Sequence, residues 1–140
     1  MYHSLTYRVP YADTDQMGVV YHANYLVYFE RSRTEMLRTA GLTYRELEQG
    51  GLFLAVTRAV CNYRRSAGYD DLLEIRSRVS EIRRASLSIS SEVYRDAELL
   101  VDGCITLAAI DRQHKPLRLP EFFLTAIRPG LDSALVRSST

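Results

Sequence analysis

Tryptophan is absent from the 140-residue sequence, and histidine and cysteine are scarce, with three and two residues. The cysteines, Cys61 and Cys104, have no CxxC spacing and no histidine cluster around them, so their pattern does not favour a structural zinc site. Each lies in an apolar, strand-like run. This setting is typical of reduced, buried thiols in a cytoplasmic protein, and a disulfide between the two is the alternative.

Long apolar runs and an excess of one charge are also lacking. No apolar run approaches the ~20 residues needed to cross a bilayer, and residues 1–10 lack the basic and apolar segments of a leader peptide. The formal net charge is +1, whereas nucleic-acid binders usually carry a strongly basic face. We therefore expect a soluble, unexported, cytoplasmic protein with no membrane insertion and no nucleic-acid partner.

The composition that remains is that of an ordinary globular protein, with 46% hydrophobic and 25% charged residues. The length predicts a single domain over residues 1–140, with a tail loosely attached from about residue 121. A first strand is predicted over residues 5–11, at an edge or end of the sheet because Pro10 has no N–H group to donate. Apolar residues at helical spacing predict a long helix over residues 24–40.

A short helix over residues 43–51, opened by a capping box and closed by two glycines, follows the long one. Strands are then predicted over residues 53–64, 73–79, 87–93 and 99–110, with a short strand or turn near 117–119. The face of the 53–64 strand predicted to lie against the core comprises Phe53, Ala55, Thr57, Ala59, Cys61 and Tyr63. The 99–110 strand is apolar on both faces, as inside a sheet. Because the turns are too short for parallel crossovers, the predicted fold class is α+β, one antiparallel sheet with a helix on one face.

Residues 11–25 (YADTDQMGVVYHANY) hold the densest group of chemically competent side chains. Asp15 and His22 would lie between an edge strand and the start of the long helix, where free N–H groups meet a carboxylate. Such N–H groups can bind a developing oxyanion while the carboxylate attacks a carbonyl or activates water, a pairing that suits acyl transfer. Local pattern alone leaves two alternatives: turn and cap residues, or a metal site of Asp13, Asp15 and His22.

This stretch, continued by residues 28–37 (YFERSRTEML), resembles the hot-dog-fold acyl-CoA thioesterases. Within them it is most similar to the 4-hydroxybenzoyl-CoA thioesterase family, particularly the branch associated with the bacterial Tol-Pal system. The resemblance runs over about residues 5–120 and includes the 69–71 turn (YDD) and the 81–86 connection (EIRRAS). It implies a hot-dog fold, in which a long helix packs on a curved antiparallel sheet.

The resemblance also implies roles for individual residues. Asp15 matches the catalytic carboxylate, which acts as nucleophile or general base. His22 matches the position whose backbone N–H polarises the thioester carbonyl, and its ring can orient substrate or water. Tyr11 matches a supporting tyrosine of the Tol-Pal branch, and Glu30 matches a position that meets the distal end of the acyl group from the partner subunit.

Arg83 and Ser86 match positions that hold the nucleotide or phosphate part of coenzyme A, and Ala85 stands where the hydroxybenzoyl enzyme has a lysine. Arg84 is a further candidate for phosphate binding, with a solvated turn as its alternative. Tyr21 and Tyr28 are predicted to contact the substrate, with a helix-core position as the alternative for Tyr28.

The implied function is hydrolysis of a small or medium acyl-CoA thioester to the free acid and coenzyme A. The thioester is the substrate, and neither a cofactor nor a metal is expected. The resemblance implies a homodimer or a tetramer built from two dimers, with active sites between subunits. The alternative function is a hot-dog domain that binds acyl-CoA without cleaving it, as a sensor or scaffold; the carboxylate at Asp15 and the lack of DNA-binding helices before Leu5 weigh against it. A dehydratase is disfavoured because its His-Phe-Pro-Gly type of motif is missing.

Overall fold

The computed structural model describes residues 2–130. Within these residues, one five-stranded antiparallel sheet carries three α-helices, and the strands lie in the order β1-β3-β4-β5-β2. The elements along the chain are β1 (His3–Arg8), α1 (Asn24–Thr39), α2 (Tyr44–Gln49), β2 (Phe53–Tyr63), β3 (Leu72–Ile82), β4 (Ser86–Arg95), β5 (Glu98–Ile110) and α3 (Glu121–Ile127). The predicted α+β class, the edge position of β1 and the inner position of β5 are confirmed. None of the helices within residues 2–130 has the length and apolar character needed to cross a membrane.

Helix α1 packs its apolar side against the sheet. Its ring residues Tyr25, Tyr28 and Phe29 are each no more than 2% exposed. The helix ends where Gly41 adopts a φ of +86°, a left-handed conformation that costs glycine little. The Phe29 ring lies so close to Gly103 of β5 that a Cβ atom there would come within 2.6 Å of Phe29 Cε2. The glycine therefore lets the helix approach the sheet.

Three buried serines connect α1 to the sheet through their hydroxyl groups. Ser32 of α1 lies 2.7 Å from Ser77 of β3, and Ser77 lies 2.7 Å from Ser91 of β4. The three side chains are no more than 2% exposed. A buried hydroxyl costs free energy unless it is hydrogen-bonded, and this short chain satisfies all three.

Strand β2 departs from the predicted alternation. The pairing register shifts between Val56, opposite Leu107, and Arg58, opposite Thr106, so Thr57 forms a bulge. Opposed residues share a face, and the buried Leu107 therefore puts Val56 on the core side. The predicted face is wrong before the bulge, where Leu54 and Val56 take the place of Phe53, Ala55 and Thr57. After the bulge Ala59, Cys61 and Tyr63 lie on the predicted side of the sheet. Val56, Ala59 and Tyr63 are nevertheless exposed. Cys61 and Cys104 are both free thiols.

The segment after β5 differs from the predicted loose tail. Leu117 donates its N–H to Ala109 and Leu119 donates to Arg84, which fixes the predicted turn. Helix α3 then buries Phe123 completely and leaves Ile127 only 3% exposed. Residues 121–127 are therefore part of the core, because α3 presents apolar side chains to it, and residues 131–140 of the predicted tail lie outside the described part of the chain.

Candidate functional site

A small hairpin precedes α1 and contains both aspartates of the motif. The Asp15 N–H donates to the Val19 carbonyl at 2.9 Å, and the Tyr21 N–H donates to the Asp13 carbonyl at 2.9 Å. The turn closes through the Gly18 N–H and the Asp15 carbonyl at 3.0 Å. Gly18 has a φ of +81°, so the predicted backbone bend is present, and a residue with a Cβ atom would be strained there.

Asp13 is occupied by structural contacts. Its Oδ2 accepts hydrogen bonds from the hydroxyls of Tyr7 at 2.9 Å and Tyr28 at 2.8 Å, and its carbonyl accepts from the Asn24 side chain at 2.9 Å. Burial and, to a smaller extent, the hydrogen bond to Asp13 raise the pKa of both tyrosines. Asp13 thus ties the hairpin to β1 and α1 through neutral phenols.

Asp15 is much less engaged. It is partly exposed, and its Oδ1 accepts one hydrogen bond, from the Met17 N–H at 2.9 Å. Its Oδ2 has no hydrogen-bond or ion-pair partner among residues 2–130. A carboxylate oxygen with free lone pairs at the surface can accept a proton from water or attack an electrophile.

Free backbone donors lie at the start of α1. Within the described part of the chain, the N–H groups of His22 and Ala23 donate to no other residue. The Tyr25 N–H reaches the His22 carbonyl only at 3.4 Å, whereas the Tyr63 hydroxyl donates to that same carbonyl at 3.0 Å. The helix start therefore presents two N–H groups and the positive end of the helix dipole.

A pocket of about 280 Å³ opens beside these donors. It is lined by Val20, His22, Tyr25, Tyr63, Arg64, Arg65 and Ser66. The alternating pattern of its strand predicts a core-facing position for Tyr63 and does not indicate a site residue. The one feature of the sequence that could have indicated a site is that Tyr63 ends a strand and is followed by two charged residues, Arg64 and Arg65. Only the sheet topology brings that strand end to the start of α1.

The other residues predicted around the motif are dispersed. Tyr11 is 76% exposed, and its ring packs on Tyr69 at 5.6 Å. The Tyr21 ring packs against the His22 ring at a tilt of 53°, with the ring centroids 4.5 Å apart. Tyr28 is 1% exposed, which is the helix-core position given above as its alternative. Glu30 lies on the exposed side of α1.

The residues predicted to bind coenzyme A lie elsewhere in the chain. Arg83 and Ser86 line a polar groove of about 440 Å³, to which Arg58, Ser88 and Thr106 also belong. No residue lines both this groove and the pocket at the helix start. Arg83 forms an exposed ion pair with Glu81 at 2.7 Å, and the exposed Arg84 accepts a backbone bond from Leu119. Arg58 was not recognised in the sequence because its bulged strand gives no regular pattern.

Comparison with known proteins identifies the family. The sequence pattern of the thioesterase-like superfamily matches residues 9–127. The chain belongs to this superfamily. An acyl-CoA thioesterase YbgC from Haemophilus influenzae is 40% identical over 121 residues, covering 84% of this chain and 88% of the relative. An acyl-CoA thioester hydrolase YbgC from Escherichia coli is 34% identical over 116 residues, covering 81% of this chain and 87% of the relative.

Solved structures agree with this assignment. A probable thioesterase from Bartonella henselae superimposes with a TM-score of 0.82 at 38% identity, covering 86% of this chain and 100% of the other. A DHNA-CoA thioesterase from Staphylococcus aureus gives a TM-score of 0.88 at 28% identity, covering 99% and 95%. The predicted thioesterase family, the hot-dog fold and the enzyme class, a thioester hydrolase, are confirmed for this member of the superfamily.

Proposed function

We propose that this thioesterase hydrolyses a small or medium acyl-CoA thioester to a free acid and coenzyme A, with Asp15 as the reacting carboxylate. The observation that carries this proposal is the contrast between the two aspartates. Asp13 accepts two phenol hydrogen bonds, whereas Oδ2 of Asp15 has no partner among residues 2–130. The relatives named as acyl-CoA thioesterases support coenzyme A as the leaving group.

The chemistry needs few groups. A thioester carbonyl gains little resonance stabilisation from sulfur and loses a good leaving group, so a carboxylate and amide donors suffice without a serine nucleophile. Asp15 acts either by attacking the carbonyl or by taking a proton from water. The His22 N–H stabilises the oxyanion, and the His22 ring, which packs against Tyr21, orients substrate or water. Tyr11 retains only a supporting role in this proposal, because its ring contacts Tyr69.

Coenzyme A is assigned to the polar groove. Arg83, Ser86 and Arg58 line it, and guanidinium groups suit phosphate oxygens because they bind them through two parallel hydrogen bonds. Arg84, exposed in the same turn, is an additional phosphate contact.

The groove and the helix-start pocket share no residue, which is consistent with a site completed by a second copy. We therefore propose a cytoplasmic homodimer or dimer of dimers in which Glu30 of one subunit meets the acyl group held by the other. The Tol-Pal branch remains a prediction.

The proposal is tested by measuring free thiol released from a panel of aromatic, short aliphatic and longer acyl-CoAs. Asp15→Asn is expected to reduce turnover by at least about 10³-fold, because the amide is nearly isosteric but a poor nucleophile and base. Its unfolding midpoint should stay close to wild type. The matched control, Asp13→Asn, should lower stability more than Asp15→Asn does, because Asp13 holds the phenols of Tyr7 and Tyr28. Unimpaired hydrolysis by Asp15→Asn would refute the assignment, and acyl-CoA binding by the wild type without thiol release would favour the sensor.

A further inference from the structure

The peptide group between His22 and Ala23 has its two polar atoms in very different settings. Its carbonyl accepts the Tyr63 hydroxyl at 3.0 Å, and its N–H, on Ala23, donates to nothing among residues 2–130. A trans peptide group is planar, and its C=O and N–H point in opposite directions. Whatever holds the carbonyl therefore aims the N–H.

Tyr63 is the principal group that holds this carbonyl. The only other hydrogen bond to it within the described chain, from the Tyr25 N–H, is long at 3.4 Å. The Tyr63 ring is supported edge-on by Tyr25, with centroids 5.8 Å apart, and lies 6.2 Å from the His22 ring. A hydrogen bond accepted by a peptide carbonyl also polarises the N–H of the same peptide group and makes it a better donor.

We propose that Tyr63 is a positioning residue that aims and polarises the Ala23 N–H. This N–H then serves as a second oxyanion donor beside the His22 N–H, an inference that rests on the proposed function. Two donors suit a tetrahedral oxyanion better than one, because each stabilises charge that develops only in the transition state. Burial and, to a smaller extent, the neighbouring Cys61 thiol raise the pKa of Tyr63 to about 12. The phenol therefore keeps its proton in neutral solution.

The first test is Tyr63→Phe, which removes the hydroxyl and keeps the ring. We expect kcat to fall about tenfold with KM nearly unchanged, less than the ~10²–10³ that complete loss of an oxyanion donor costs. The matched control is Tyr94→Phe on β4, whose ring packs under Arg76 and whose hydroxyl makes no hydrogen bond within residues 2–130. It should match wild type. Equal kcat in Tyr63→Phe and wild type would overturn the inference and leave the proposed function standing.

The affinities of two unreactive analogues distinguish a misplaced Ala23 N–H from general damage to the site. A ketone analogue of acyl-CoA keeps the carbonyl, whereas an alkyl thioether of coenzyme A lacks it. Tyr63→Phe should weaken the ketone about fivefold and leave the thioether unchanged. Equal losses for both would assign Tyr63 a merely structural role. These affinities decide the role of Tyr63 even if the wild type releases no thiol, a result that would count against the proposed function alone.

A backbone substitution tests the second donor directly. Replacing Ala23 by L-lactic acid turns its amide into an ester, which removes the N–H group and also makes the His22 carbonyl a weaker acceptor for the Tyr63 hydroxyl. We expect kcat to fall by about 10²-fold, and adding Tyr63→Phe to this protein should change kcat little, because both changes remove one interaction. An unchanged kcat in the ester protein, or fully additive losses, would contradict the proposal. The ester protein also keeps the proposal falsifiable should Tyr63→Phe fold poorly.

Discussion

Two aspartates one residue apart have different tasks in this protein. Asp13 accepts hydrogen bonds from two phenols and a side-chain amide, and these bonds hold the hairpin in place. Asp15 accepts one backbone N–H, and its other oxygen, which has no partner among residues 2–130, is the one proposed to react. A third aspartate, Asp71, lies beside the neighbouring loop, which pairs with the hairpin through the Val20 N–H and the Ala67 carbonyl.

Asp71 gives the stability of the protein a dependence on acid. Its Oδ2 accepts the Gly68 N–H and an Arg95 hydrogen bond, both at 2.8 Å. The bond from Gly68, helped by Arg95, holds the pKa of Asp71 below its ordinary value. Its contribution is therefore complete above the unfolded value of about 3.9 and is lost as the pH falls through the lower, folded value.

We predict that Asp71→Asn lowers the free energy of unfolding by about 1 kcal/mol near neutral pH, since the pair is partly exposed. The difference from wild type should begin to shrink below about pH 4, where Asp71 becomes protonated in the unfolded chain, and should vanish once the folded carboxyl is protonated as well. Denaturant titrations between acid and neutral pH measure this. Asp70→Asn is the control and should be nearly neutral, because that side chain is 66% exposed. A difference that grows toward acid would contradict the prediction.

At the scale of elements, the contact between α1 and β5 depends on one missing side chain. Gly103 lies under the Phe29 ring, and an added Cβ would also meet the Val60 carbonyl of the neighbouring strand. The helix and the edge strand are therefore both positioned by the same glycine. Since β2 carries Tyr63 and α1 begins beside His22, this contact also sets how the two meet.

We predict that Gly103→Ala destabilises the fold by about 1–3 kcal/mol, the usual cost of overpacking, because neither Phe29 nor the Val60 backbone can move freely. Thermal or denaturant unfolding measures the change. Gly50→Ala is the matched control: its φ of −82° suits alanine, and the nearest backbone oxygen would lie 3.4 Å away. Gly50→Ala should be close to neutral, and an equally mild Gly103→Ala would show that the helix does not need this close approach.

The elements show how far sequence patterns reach. Helix α1 was predicted because its apolar spacing and closing glycine are both local. The Thr57 bulge was not, since it depends on pairing with Leu107 and Thr106 of another strand. The same holds for the site: Asp15 and His22 lie in a local motif, whereas Tyr63 reaches the His22 carbonyl across 41 residues. Helix α3 was missed because seven residues after Pro120 carry too little periodicity.

At the scale of the whole molecule, β2 forms a long edge of the sheet. It has 11 residues, pairs among residues 2–130 only with β5, and exposes Val56 by 53% and Tyr63 by 50%. Free edges with apolar side chains tend to pair with another chain. This edge is the natural contact for the proposed second copy, and its Tyr63 end adjoins the pocket at the helix start.

We predict that light scattering coupled to gel filtration gives the mass of a dimer or tetramer for the wild type. Val56→Glu should shift the mass toward the monomer, because it introduces a charge at the free edge, and thiol release should fall with it. Phe122→Glu is the control: Phe122 is 59% exposed and lies on α3, an element separate from β2. A monomeric wild type, or dissociation by Phe122→Glu alone, would contradict this arrangement.

The three buried serines, Ser32, Ser77 and Ser91, fix the height at which α1 stands on the sheet. Apolar contacts tolerate sliding, because one aliphatic surface resembles the next. Hydroxyl groups do not, since a helix displaced by one turn would leave buried donors and acceptors unmatched, at a cost of about 1–3 kcal/mol each. The serines therefore fix the position of α1 along its axis. By doing so they also fix the position of the His22 and Ala23 N–H groups at the start of the helix.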